Sequence, residues 1–400
     1  MSLEWRTVEL KSIAEVIMGQ SPKSEFYNQN GKGMPFLQGN KTFGDKYPSF
    51  ELFTTSIKKV AEKDSVLMSV RAPVGDLNIA QEDICIGRGV CSIKMKNGYN
   101  EFLYYLLKAN ISQLINKESG TVFGSINKND IETFEVTLPT EPKDQVKLLN
   151  ILKNIDRKIE NCNSINKNLD EVLDLLFREH FIDKFDNEDT DWKIKKVGEL
   201  PLIITDYVAN GSFASLKENV SILDHEDYAY FIRNTDLKSK CFEKFVNKHS
   251  YDFLKKSSLY GNEIIISNVG DVGSVFLCPF LDKPMTLGNN MILVKSNNDA
   301  IYLNFYLFLL FRSNYGQYLI STITAGSVQS KFNKTEFKSL ELTMPDDELI
   351  IGFNEIVSPI FEYKNKISDE ITNLTKLRDT LLPKLMSGEI DVSKINCDLE

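Results

Sequence analysis

The residues best suited to chemistry here are polar groups in short stretches punctuated by turn residues. Gln20, Ser21, Gln38, Asn40, Lys41, Arg71, Arg88, Ser125, Asn127 and Lys128 fall early in the chain. Arg233, Asn234, Thr235, Asn268, Asn289, Asn290, Gln329, Ser330 and Lys331 fall at matching places later. Such groups can read nucleic-acid base edges. Arg suits guanine, Asn or Gln suits adenine, and Ser, Thr and Lys assist. Taken singly, each is an ordinary turn or capping residue. Their recurrence in both halves lifts the group above that reading.

Catalytic signatures are missing. There is no GxxxxGK[ST] phosphate loop, no HExxH and no GxSxG. Asn268 to Gly273 has two glycines three apart, but lacks the third glycine and following helix of a dinucleotide site. It reads as a hairpin turn, like Arg71-Ala72-Pro73-Val74-Gly75. His180, His225 and His249 are isolated, and no carboxylates form a recognisable pair. No Asn-Pro-Pro-Tyr-like segment offers to hold an adenine amine. The six cysteines (85, 91, 162, 241, 278 and 397) show no CxxC spacing, so they fit free thiols in a reducing cytoplasm and no structural metal.

The elements carrying these polar groups occur twice. Trp5 to Leu10 is answered by Trp192 to Val197, and Phe36 to Asn40 by Phe231 to Asn234. Met68 to Gly75 is answered by Ile264 to Gly273, and Gly87 to Lys94 by Gly288 to Lys295. Ser119 to Lys128 corresponds to Ala325 to Lys334, and Phe134 to Pro139 to Leu340 to Pro345. Ile84 to Ile93 is read as one strand broken by glycine, and Phe102 to Leu107 as helix. A repeat this long is a domain duplication rather than a solenoid.

A long helical pattern follows each block. Leu148, Leu152, Ile155, Ile159, Cys162, Asn166, Leu169, Leu173 and Leu176 alternate in steps of four and three, a coiled-coil seam. Phe353, Ile356, Ile360, Tyr363, Ile367, Ile371, Leu374, Leu377 and Leu381 make a second, less regular stripe. The first helix, over Lys147 to Phe177, would span about 45–50 Å. Narrow stripes of this length favour helix-on-helix pairing. Asn166 is a polar residue able to fix register. Lys364 and Arg378 flank the second seam, to snorkel or to meet another subunit.

Composition agrees with a multi-domain chain: 400 residues, 42% apolar, net charge −9. The acidic excess is local. Residues 1–139 carry 16 Lys+Arg against 16 Asp+Glu, and residues 184–345 carry 18 against 19. Residues 346–400 carry 6 against 12. Near-neutral blocks suit a reader that binds weakly alone, because phosphate neutralisation supplies most non-specific affinity. Ala300 to Phe311 is the longest apolar run; it is too short for a bilayer and reads as a buried helix. The start, MSLEWRTVEL, has no signal-peptide pattern.

The repeated Trp starts, the Gly120–Lys128 and Gly326–Lys334 loops, the Leu138-Pro139 and Met344-Pro345 strand ends and the long helices resemble the specificity subunit of type I restriction–modification systems. The ending Leu377 to Ile390, with Pro383-Lys384-Leu385-Met386-Ser387-Gly388, is similar to that family's C-terminal helix. Residues 178–183 depart from it, so the two helix ends need not meet partners alike. The resemblance implies an α+β fold: two mixed α/β target-recognition domains (a twisted sheet with small helices), each followed by a long helix. The helices would pair as an antiparallel intramolecular coiled coil, giving a pseudo-two-fold internal repeat. Expected divisions are target-recognition domains at 1–140 and 184–346, spacer helices at 141–183 and 347–390, and an acidic tail at 391–400.

The resemblance also implies a non-catalytic chain that reads a bipartite, asymmetric site on double-stranded DNA, one domain per half-site. It would bind no cofactor itself. Two modification subunits would carry S-adenosylmethionine, and restriction subunits ATP and Mg. The competing readings are a self-contained methyltransferase or nuclease, which the missing motifs disfavour, and a coiled-coil scaffold without base reading.

Overall fold

The computed structural model describes residues 3–116, 125–184, 192–326 and 330–392. The chain divides into two units. One is built from the chain up to Asn161 together with the chain from Ile371 onward; the other is Cys162–Glu370.

In the first unit, strand Trp5–Glu9 pairs antiparallel with Glu135–Pro139. A four-stranded antiparallel sheet has the order Ala14–Met18, Val90–Met95, Val66–Ser69, Leu77–Ile79. A five-stranded sheet has the order Tyr27–Asn28, Phe53–Thr54, Met34–Leu37, Ile84–Ile86, Val60–Ala61, with one parallel pair at Phe36–Leu37 and Cys85–Ile86.

The second unit repeats all three sheets. Lys193–Lys196 pairs with Glu341–Met344. Leu202–Asp206, Met291–Ser296, Ile264–Ser267 and Val275–Leu277 form the four-stranded sheet. Ile222–Leu223, Phe245–Val246, Ala229–Ile232, Met285–Leu287 and Ser258–Leu259 form the five-stranded one, with its parallel pair in the same place.

Period-two alternation explains how the sheets stack. Val66 and Met68 face the larger core with helix Asn100–Asn116, while Leu67 faces the smaller core beside Ile84, Ile86 and Val90. Ile264 and Ile266 face the larger core of the second unit, and Ile265 its smaller one. Strands buried on both faces read as continuous apolar runs, as these do. The run Ile84 to Ile93 is a correction: it is two strands in different sheets, because Gly87 and Gly89 turn the chain between them. The apolar run near residue 300 is the buried helix Leu303–Arg312. Among the described residues, no helix is long and apolar enough to cross a membrane.

The long helices are Pro142–His180 and Asp347–Met386. The first starts before the seam, since Pro142 sits in the opening turn, where a missing N–H leaves nothing unpaired. At about 1.5 Å per residue each is roughly 60 Å long. In the first unit, Leu148 and Leu152 are buried in one core with Leu382, Leu385 and Met386. Ile159 is buried, and Ile155, Ile371, Leu374 and Leu381 are half-buried.

In the second unit, Cys162, Asn166, Leu173 and Ile367 are buried, and Leu169, Leu176 and Ile360 half-buried. Cys162 Sγ meets Glu370 at 3.9 Å, Asp170 meets Lys364 at 2.5 Å, and Phe177 lies 6.0 Å from Phe353 between ring centroids. Partner numbers fall on one segment as they rise on the other, so these segments run antiparallel.

The second stripe needs correcting. Ile356, Tyr363 and Leu377 are about half exposed, while Val357 and Phe361 are buried. Phe361 stacks on Phe305 at 4.0 Å, so this half of the helix turns its apolar face to the sheet domain of its own unit. Lys364 and Arg378 are also not free for another subunit. Lys364 pairs with Asp170, and Arg378 Nη1 donates to Asp156 at 3.1 Å.

The Leu385-Met386-Ser387-Gly388 ending is a helix cap. Gly388 is left-handed (φ 77°), its N–H reaches Leu385 O, and Ile390 N–H reaches Lys384 O at 3.2 Å. A Cβ on Gly388 would come within 2.8 Å of the Trp5 ring.

Candidate nucleic-acid interface

Three chain segments of the first unit meet at its polar tip. Gly87 N–H donates to Leu37 O at 2.8 Å, Gly89 N–H to Gln38 O at 3.1 Å, and Gly19 N–H to Val90 O at 3.0 Å. A Cβ at Gly19 would fall 2.1 Å from Gly87 O, and one at Gly89 2.6 Å from Gln38 O. Glycine is therefore required for these backbones to approach.

Ser21, Gln38, Asn40, Lys41, Arg71 and Arg88 line one cleft of about 420 Å³, which Phe36, Thr42 and Glu51 complete. Ser21 Oγ accepts from Arg88 N–H at 3.1 Å. Gln20 does not line the cleft; its N–H donates to Ile86 O at 2.9 Å. Ser125 joins through a bridge to Arg71. Lys41 pairs with Glu51 at 2.9 Å, an exposed contact of little energetic weight. Asn127 and Lys128 are not in this group. Asn127 caps helix Lys128–Glu132 through a reciprocal pair with Asp130, and Lys128 pairs with Glu132.

The second unit uses the same backbone plan. Gly288 N–H donates to Ile232 O at 2.7 Å, and Asn268 N–H to Asn290 O at 3.1 Å. Asn268 Nδ2 donates to Phe332 O at 2.9 Å. Gly270 N–H binds Ser330 O, and Lys331 bridges Val269 and Ala325. Thr235, Asn289 and Asn290 are exposed. Arg233 is neutralised by buried Asp236, with Nε at 2.9 Å from Oδ2. Gln329 lies outside the described residues.

Two carboxylates that the sequence reading passed over organise the tips. Asn40 Nδ2 donates to Asp76 at 2.5 Å, and Asn234 Nδ2 to Asp271 at 3.1 Å. Each aspartate follows a left-handed glycine, Gly75 (φ 95°) or Gly270 (φ 78°). A Gly-Asp step in each half was the available signal, at places that differ: Gly75 N–H binds Ser69 O as Gly273 N–H binds Ser267 O, so Gly270 lies three residues earlier in its turn. Burial works to raise the Asp271 pKa, but hydrogen bonds from Lys238, Ser274 and Asn234 outweigh it and hold the carboxyl below its usual range.

The framework is thus two α+β units with matched sheets and unlike polar tips. The sequence matches the family described as "Type I restriction modification DNA specificity domain" over residues 2–171 and 189–376, and the chain belongs to that family. DNA binding follows from this membership.

The chain is 25% identical over 426 residues to the type I restriction enzyme MjaIX specificity subunit of Methanocaldococcus jannaschii, covering 98% of this chain and 95% of that one. A stretch of 161 residues is 42% identical to a specificity subunit attributed to the MjaX enzyme of the same organism. That match spans 39% of this chain and 38% of that protein. The type I restriction–modification S subunit from M. genitalium shares the fold, with a TM-score of 0.54, 18% identity and 96% of each chain covered.

Proposed function

We propose that this chain reads a bipartite, asymmetric DNA site, one half-site per recognition unit, and supplies no catalytic group itself. Residues 1–140 and 184–346 act as the target-recognition domains. Residues 141–183 and 347–390 act as the helices that space them, paired along their length as an antiparallel coiled coil. Two modification subunits dock on this chain and bring S-adenosylmethionine to methylate adenine. Restriction subunits bring ATP, Mg and the cutting activity. The supporting observation is the recurrence of one three-sheet framework with different polar residues at equivalent tips. A common scaffold with unlike reading groups is what an asymmetric site requires.

Long-read methylation mapping of the host, with and without this gene, tests the reading. The expected result is a split, adenine-methylated motif that disappears with the gene. An unchanged methylome, or an assembled complex that binds random and selected duplexes equally, would leave a scaffold role instead.

A further inference from the structure

Arg88 and Asn289 occupy the same place in the two units. Each follows a glycine bound to the end of a neighbouring strand, Gly87 on Leu37 O at 2.8 Å and Gly288 on Ile232 O at 2.7 Å. Each precedes a residue whose carbonyl is also held. Val70 N–H donates to Gly89 O at 2.9 Å, and Asn268 N–H to Asn290 O at 3.1 Å. A Cβ at Gly87 would lie 3.0 Å from Gln38 Cα, and one at Gly288 2.7 Å from Ile232 O. The main chain is therefore clamped on both sides of each residue.

The side chains are the opposite case. Both are exposed, and among the described residues neither the Arg88 guanidinium nor the Asn289 amide has a hydrogen-bond or ion-pair partner. Three polar neighbours are committed internally, Asn40 to Asp76, Asn234 to Asp271, and Arg233 to Asp236, whereas Gln38 and Arg71 share the first cleft with Arg88. A free polar head on a fixed main chain loses less freedom on binding than one on a mobile loop. The two heads differ in what they match. A guanidinium fits guanine O6 and N7, and an asparagine amide fits adenine N6 and N7.

We propose that Arg88 and Asn289 are an equivalent pair of specificity-determining residues. Arg88 reads a guanine in the half-site of the first unit, and Asn289 reads an adenine in the half-site of the second. This rests on the DNA-reading function proposed above.

The test uses the assembled modification complex and a duplex library randomised in both half-sites, with adenine methylation as the readout. Arg88→Asn is expected to lower preference for guanine at one position of one half-site by roughly ten- to a hundredfold. The other half-site should not change. Arg88→Lys should weaken the same preference, less than Arg88→Asn does, while keeping the salt dependence, because the charge remains and the planar fork does not. Asn289→Arg should replace an adenine preference by a guanine preference in the other half-site. Both positions are exposed, and a melting curve unchanged from wild type confirms that each variant folds.

A uniform loss across all sequences, with the log–log salt slope reduced by about one, would make Arg88 a phosphate contact and overturn the assignment. Unaltered base preference in the variants would overturn it too. A wild-type complex with no sequence preference would defeat the DNA-reading function itself. A selective wild type with unaltered variants would defeat only the roles of Arg88 and Asn289.

Discussion

Arg378 on the second long helix donates to Asp156 on the first at 3.1 Å, within the first unit. Asp156 also accepts from the Tyr105 hydroxyl and lies 3.7 Å from Lys46. Its side chain is 7% exposed, and those of Arg378 and Lys46 are 15% and 11%. Asp156→Ala would remove the most buried acceptor of this group but leave Arg378 with Asp379 at 2.9 Å and Lys46 with Glu101 and Glu160 at 3.8 and 3.9 Å, so the loss should be about 1–3 kcal/mol. Urea unfolding should show that loss. A change below about 1 kcal/mol, the range of exposed pairs, would mean that water reaches the site.

Asn166 is buried, and its Oδ1 has no hydrogen-bond partner among the described residues. A buried polar atom left unsatisfied is destabilising, so Asn166→Leu should raise stability by about 1 kcal/mol or more. The gain should come with looser choice of helix register. Thermal melting reads the first effect, and spin-label distances between the helices read the second. A lower melting temperature would show that the amide contributes to stability.

Gly388→Ala should destabilise the first unit by about 1 kcal/mol or more. Alanine is strained at φ 77° and its Cβ would press on Trp5. Comparing it with Gly98→Ala calibrates the strain alone, because Gly98 has φ 84° with open space around it. Equal losses at both positions would remove the Trp5 contact from the account.

Asp271 should titrate below the ordinary 3.8. A depressed carboxyl pKa adds stability that is fully present above the unfolded value and is lost as pH falls through the lowered one. Carboxyl NMR of the wild type should give a midpoint under 3.8, and Lys238→Met should move it upward. A midpoint unmoved by that substitution would show that the ion pair is not populated in solution.

Removing one heptad from each long helix shortens it by about 10 Å, or roughly three base-pair steps. If the helices set the spacing, the methylated motif should lose about three base pairs between its half-sites. A motif with unchanged spacing would refute the ruler.

Much of the framework was legible because both halves repeat apolar runs such as Val66-Leu67-Met68 and Ile264-Ile265-Ile266. The number of sheets was not. Gly87 and Gly89 look like a flaw in one strand, and only the paired backbones show that they send the chain from one sheet to another. The stripe through Ile356 and Tyr363 misled for a related reason. Heptad spacing assumes one partner, whereas this half of the helix also packs against Phe305 of its own domain. Arg233 looked like a reading residue because Asp236 neutralises it only once residues 234–239 form a helix. The Asn127 to Asp130 spacing was a capping signal in plain view.

The first unit contains Leu382, Leu385 and Met386 in its core, and Trp5 sits over Gly388. Its earliest strand and its closing helix turn are separated by almost the whole chain. During synthesis, the second unit has all its parts before the first does. The larger core of the first unit stays incomplete until Leu382, Leu385 and Met386 leave the ribosome, whereas its smaller core needs nothing after Val90. The unit that begins second is therefore the first whose residues are all available. A chain halted after residue 370 would present a finished second unit beside an open first one, the kind of surface that chaperones hold.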